Sequence, residues 1–201
     1  MRPNLLHSPA TDRNKQPILG VLHDILPPEG HILEIASGTG EHVVYFAEAL
    51  PKLIWQPTEP NKLSRSTIQA RVRASGLTNV RDPLDLDVRD AHWPVKPSDA
   101  VLCINMIHIS PWAATEALFS NARRILSSTG VLYLYGPFRQ SDQDTTPSNE
   151  AFDASLRSRN SEWGLRSLEE VVHFATKQGF ALENTKEMPA NNLSVVFRNI
   201  M

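Results

Sequence analysis

The chain has 201 residues, with 20 basic and 22 acidic side chains and a formal charge of −2. At this length roughly 70% of the extended-chain surface can be buried, so a core forms without staples, and the lack of positive excess argues against general binding to nucleic acid. A single cysteine, Cys103, excludes an internal disulfide and a cysteine-rich zinc site, and no stretch approaches a membrane span.

Residues 12–26 place Ile18, Leu19, Leu22, Ile25 and Leu26 on one helical face, closed by Pro27-Pro28. Residues 32–36 read as a short buried strand, ended by Ser37-Gly38-Thr39-Gly40. Residues 41–50 return to helical spacing. Residues 53–55 are a second strand that runs into Pro57-Thr58-Glu59-Pro60. A polar helix over 61–75 stops at Gly76. Residues 80–88 form the third strand with its exit, and residues 100–105 the fourth. A helix near 112–127 precedes a fifth strand at 131–135. Residues 137–166 break the rhythm; they are polar and read as a long loop with one short helix, of the kind that covers sites. A helix at 167–178 and two strands, near 180–187 and 193–199, finish the chain. The turn between those strands, Pro189-Ala190-Asn191-Asn192, is too short for a crossover, so they pair antiparallel.

The β-α-β-α order predicts a doubly wound, mostly parallel sheet with helices on both faces and an antiparallel last strand. One domain over residues 1–201 is expected. Prolines at positions 3 and 9 stand where a signal peptide needs an apolar run. With the lone cysteine, this points to a cytoplasmic protein, with no metal centre and no membrane partner.

In such a sheet, ligands sit at the carboxyl ends of the strands. The first exit is Glu34-Ile35-Ala36-Ser37-Gly38-Thr39-Gly40, whose small residues let a ligand lie on backbone beside a helix N-terminus. The second ends at Glu59, a carboxylate able to hold both hydroxyls of a ribose. The third offers Asp87-Val88, a carboxylate for an adenine amino group next to an apolar side chain for the ring; Asp85 and Asp90 compete for that role. The fourth is Asn105-Met106-Ile107-His108. These residues describe an adenosine cradle. A dinucleotide loop would want a small residue where Val43 stands, and no phosphate loop with its lysine is present.

The glycine loop resembles the first motif of class I S-adenosylmethionine-dependent methyltransferases, with Ala36 where their pattern has glycine. That family has a seven-stranded Rossmann-like sheet with a reversed last strand. More narrowly, Ser8-Pro9-Ala10, Arg13-Asn14-Lys15, Ser37-Gly38-Thr39-Gly40-Glu41-His42, Asn105-Met106-Ile107-His108-Ile109-Ser110-Pro111-Trp112 and Trp163-Gly164 are similar to the methyltransferase-like protein 26 family. The resemblance implies S-adenosylmethionine as cofactor and S-adenosylhomocysteine as product.

On this reading Glu34, Ala36, Ser37, Gly38, Gly40, Glu59, Asp87, Val88 and Asn105 bind cofactor. Arg13, Asn14 and Lys15 form a lid over its methionine part, within an N-terminal lid and helix at 1–27. Asn105 lies near the transferable methyl. His108, with an ordinary pKa of about 6.5, is the candidate general base. The acceptor is expected to be a small molecule, with residues 137–166 on its side. Phe138 and Trp163 are candidates to shape its pocket. A non-catalytic cofactor binder and a nicotinamide-dependent oxidoreductase remain the alternatives.

Overall fold

A computed structural model describes residues 9–200. The reading of residues 1–8, including Ser8 of the first motif, lies outside these described residues.

Chain order is α1 (Pro9–Ile25), β1 (Gly30–Ile35), α2 (Glu41–Ala49), β2 (Leu53–Pro57), α3 (Lys62–Ser75), β3 (Ser98–Ile104) and α4 (Trp112–Ile125), then β4 (Leu126–Gly136), β5 (Phe138–Arg139), α5 (Pro147–Arg159), β6 (Arg166–Ser167), α6 (Leu168–Lys177), β7 (Phe180–Met188) and β8 (Asn192–Asn199). The main sheet runs β2-β1-β3-β4-β8-β7. β1 to β4 pair parallel, and β8 lies antiparallel to both neighbours. The fold is therefore the expected α/β doubly wound sheet with a reversed last strand, with six strands in the main sheet where seven are expected.

Residues 80–88 differ from the expected third strand. They run parallel beside β2 but touch it as two isolated bridges, Trp55 to Val80 and Thr58 to Leu84. Pro83, between the bridges, has no N–H to give a ladder, which fits an interrupted edge better than a continuous strand. The backbone still carries the exit to the rim, because the Glu59 N–H donates to the Leu84 carbonyl at 3.0 Å.

Both faces of the parallel strands are covered, which explains their near-continuous apolar runs. Alternation sorts the side chains. Leu33, Ile35, Val101, Cys103, Leu132 and Leu134 share one core with Leu118 and Phe119 of α4 and Val171 and Ala175 of α6. Their neighbours Ile32, Ala100, Leu102, Val131 and Tyr133 share the other with Ile18 and Leu22 of α1 and Val43 and Phe46 of α2. This two-sided burial fixes strand register, since a one-residue slip would exchange the two faces.

Local chemistry sets the helix ends. The Asn61 side chain accepts from the Ser64 N–H and starts α3, and Gly76 in the left-handed conformation ends it. The segment over 137–166 holds more order than expected. Its helix α5 has 13 residues, capped by Thr146 and opened by Pro147, and β5 pairs with β6 to tie the two ends of the segment together.

Candidate functional site

Four strand exits meet at one rim of the sheet. At the first, the chain leaves β1 through Ala36, Gly38 and Gly40, all at positive φ (54°, 56° and 77°). The Ser37 N–H donates to the Thr58 carbonyl at 2.8 Å, and the Thr58 N–H returns to the Glu34 carbonyl at 2.9 Å. The Thr58 hydroxyl adds a third bond, to the same Glu34 carbonyl at 2.8 Å. Thr58 is fully buried and holds two strand exits together; sequence reasoning passed over it. Its place just before Glu59 at a strand end was the available signal.

Glu59 is buried and fixes the loop. Its Oε2 accepts from the Gly38 N–H at 3.0 Å, and its Oε1 from the Asn61 N–H at 3.0 Å. Each carboxylate oxygen keeps a second acceptor site. A side chain at Gly38 would meet nothing within 4 Å, so the space above the loop is open. Gly40 packs against Ile68 and opens α2 with no side-chain cap. Arg71 braces the far side of the loop, donating from Nε to the Thr39 carbonyl at 3.0 Å.

Glu34 is 2% exposed, and its Oε2 has no hydrogen-bond partner among the described residues. Burial pushes this carboxyl up to about 7; a hydrogen bond to Ser37 opposes the rise and the nearby Glu59 carboxylate adds to it. Ala36 stands where φ favours glycine. Ala36→Gly is expected to raise stability by about 1 kcal/mol, the cost of one left-handed residue with a Cβ. Thermal unfolding checks this; an unchanged midpoint would mean that contacts of the methyl group offset the strain.

The third exit carries Asp87 and Val88. Val88 is buried in the core that holds Ile35, Cys103 and Met106, and Asn121 and Trp93 both donate to its carbonyl. The Asp87 carboxylate is turned toward Arg89, with contacts of 3.0 and 2.7 Å that hold it below its ordinary value. An adenine amino group would have to share or open that pair. Of the competing carboxylates, Asp85 is gripped by Arg65 at 2.9 and 2.7 Å, and Asp90 accepts from the Asp87 N–H at 3.0 Å.

Asn105 ends the fourth exit at φ 64°. Its N–H donates to the Tyr135 carbonyl at 2.7 Å, and its carbonyl accepts from the His108 N–H at 3.1 Å. His108 departs from the expectation of a near-neutral base. The ring is 1% exposed, lies edge-on to Phe138 at 4.9 Å, and has no partner at either nitrogen among the described residues. Burial, with the Arg166 charge adding to it, lowers its pKa to about 3.

The triplet at the start of α1 splits. Asn14 is buried; its Oδ1 accepts from His42 Nε2 at 2.8 Å, and it also hydrogen-bonds the Tyr135 phenol. Arg13 is exposed with its charge felt at Tyr135. Lys15 is paired with Asp12 at 2.7 Å and lies over the Tyr45 ring, and its charge is felt at His42. Trp163 stacks with Arg159, and Phe138 lines a cavity of about 160 Å³.

Among the described residues no group of three or more His, Cys, Asp or Glu is placed to hold a metal ion, and no helix is long and apolar enough to cross a membrane.

The fold is shared with several solved structures. An O-methyltransferase family protein from Burkholderia thailandensis superposes with a TM-score of 0.80 at 15% identity, over 94% of this chain and 57% of that one. The mitomycin 7-O-methyltransferase MmcR gives 0.79 at 15% identity, over 92% and 54%. CalO1, a methyltransferase in calicheamicin biosynthesis, in its SAH-bound form gives 0.74 at 13% identity, over 92% and 53%. The chain thus spans little more than half the length of these structures. Residues 6–199 match the model of the family described as "Protein of unknown function (DUF938)", and the chain belongs to that family.

Proposed function

We propose that the protein is an S-adenosylmethionine-dependent methyltransferase acting on a small-molecule acceptor. The observation that carries this reading is the junction of Gly38, Glu59 and Glu34. One carboxylate fastens an open glycine loop, and a second, buried and with a free oxygen, stands beside it. Such a set suits a nucleoside bearing positive charge better than a phosphate ligand. No lysine or arginine lies in the loop from Glu34 to Gly40. The named structural neighbours support the cofactor, one of them being SAH-bound.

Within this reading Glu59 takes the ribose hydroxyls on its spare acceptor sites. Glu34 faces the cationic part of the cofactor. Val88 packs on the adenine, and Asp87 meets its amino group on leaving Arg89. Ala36 and Ser37 line the floor, and Gly40 lets the chain pass close to Ile68. Asn14 and Arg13, beside Tyr135, border the methionine end. Asn105 sits where the acceptor approaches. The bound cofactor supplies an electrophilic methyl group; the protein aligns the acceptor with it and excludes water. The likeness to the methyltransferase-like protein 26 family belongs to the same proposal and rests on the motifs quoted above. So does the treatment of the chain as one unit with α1 as lid.

Isothermal calorimetry with S-adenosylhomocysteine and with NADH tests the reading. Binding of the first alone supports it; binding of NADH alone overturns it. His108 is neutral throughout the working range, so turnover is expected to show no inflection near pH 6.5. An inflection there that vanishes in His108→Asn would restore the ring as a base.

A further inference from the structure

A second polar hollow lies beside the cradle. It is a cavity of about 160 Å³ between residues 140–146, the start of α5 and the turn joining β7 to β8. Its floor is apolar, with Phe138 and Leu193 both buried. Its position links it to the site. Leu193 pairs with Gly136, directly after Tyr135. Tyr135 in turn accepts the Asn105 N–H and is bonded by Asn192, which also lines the cavity.

The walls carry two carboxylates among neutral amides and hydroxyls such as Gln140, Gln143 and Thr145. Asn149 is 8% exposed; its Nδ2 donates to the Asn191 carbonyl at 3.0 Å, while its Oδ1 takes no hydrogen bond among the described residues. Asp144 and Glu187 also border the space, and neither forms an ion pair among the described residues. Among the described residues no lysine or arginine lines it. The nearest guanidinium in sequence, Arg139, is spent on Glu150, Asp153 and Thr145. An acceptor that borders a cavity without a protein partner can take a hydrogen bond from a ligand or water.

We infer that this cavity is the acceptor pocket, and that it takes a donor-rich small molecule, bearing hydroxyls or amines and neutral or cationic, in preference to an anion. The role of acceptor rests on the methyl-transfer reading above; the ligand class rests on the lining alone.

Ligand-observed saturation-transfer NMR on the full chain tests it with three probes at equal concentration: erythritol, putrescine and succinate. Erythritol or putrescine is expected to bind, the two arms separating hydroxyl from amine recognition, and succinate is not. Asn149→Leu should weaken the binding probe about tenfold, the value of one buried hydrogen bond. Glu187→Lys, an exposed strand position that leaves the core untouched, should admit succinate. Thermal unfolding of both variants confirms that they fold. Equal binding of succinate to the unaltered chain overturns the proposal, as does probe binding indifferent to both variants or no probe binding at all. An interligand Overhauser effect between probe and S-adenosylhomocysteine is expected; its absence with both bound removes the acceptor role. Calorimetry with S-adenosylhomocysteine runs in parallel. Normal cofactor binding without probe binding defeats only the cavity proposal. Probe binding without cofactor binding defeats only the methyltransferase reading.

Discussion

Glu59→Ala is expected to lower affinity for S-adenosylhomocysteine by about a hundredfold or more, the scale of losing two charge-assisted hydrogen bonds. The reason is twofold. The carboxylate is the proposed partner of the ribose hydroxyls, and it also holds the loop that forms the floor. Without it, the N–H groups of Gly38 and Asn61 lose their acceptors. Stability should fall as well, by about 2–4 kcal/mol, because both donors lie in a half-buried site. Glu59→Gln separates the two effects. Its amide oxygen can still accept from Gly38 but its amide nitrogen cannot accept from Asn61, so about half of the lost stability should return. Affinity should not, since one acceptor oxygen has become a donor. Calorimetry and thermal unfolding of the two variants read these apart. Wild-type affinity in the folded alanine variant would remove Glu59 from the site.

The architecture was legible because it depends on short-range pattern. Apolar runs of four to six residues, closed by Gly38 or Pro57 and alternating with helical spacing, leave few arrangements besides a covered parallel sheet. The hairpin was legible because Pro189-Ala190-Asn191-Asn192 cannot bridge parallel strands. The third strand was overestimated because apolar composition at Val80, Leu84, Leu86 and Val88 does not reveal that Pro83 withholds a ladder donor. The helix α5 was underestimated because its weakly apolar face, with only Leu156 as a buried aliphatic, gives little periodicity.

That Gly38 and Glu59 come together was legible from their places at strand ends, and the structure brings them to 3.0 Å. Charge pairing was not. Nothing local marks Arg65 as the partner of Asp85, 20 positions away, or Lys15 as lying over Tyr45, 30 positions on. The burial of His108 was equally hidden. It arises because Phe138 and Gly136 close on the ring while Gly164 binds its carbonyl, and those contacts come from segments 28 to 56 positions further on. Titration behaviour follows such long-range enclosure and not residue type.

The same enclosure gives Glu34 its largest expected effect. An unfolded glutamate loses its proton near 4.5, whereas Glu34 in the folded chain keeps it to about 7. Between those values the folded state holds the extra proton, so its stability falls as pH rises through that window and levels off above it. Glu34→Gln removes the titration. The variant should match the wild type at pH 4.5 and exceed it by about 2–3 kcal/mol at pH 8, where the native chain carries a buried charge. Cofactor affinity should move the other way. At pH 8 the ionised carboxylate can meet the positive part of S-adenosylhomocysteine, and the amide cannot. Near pH 5.5 Glu34 is protonated, and the two proteins should bind alike. Wild-type binding at pH 7 should release protons, seen as a calorimetric enthalpy that changes with the ionisation enthalpy of the buffer. Chemical denaturation across this pH range reads the stability difference. A variant no more stable than wild type at pH 8 would show that water or a hidden donor already satisfies Oε2, and equal affinity at that pH would place Glu34 outside the cofactor contact. A gain in stability coupled to a loss in affinity is the signature of a group kept for binding at the expense of folding.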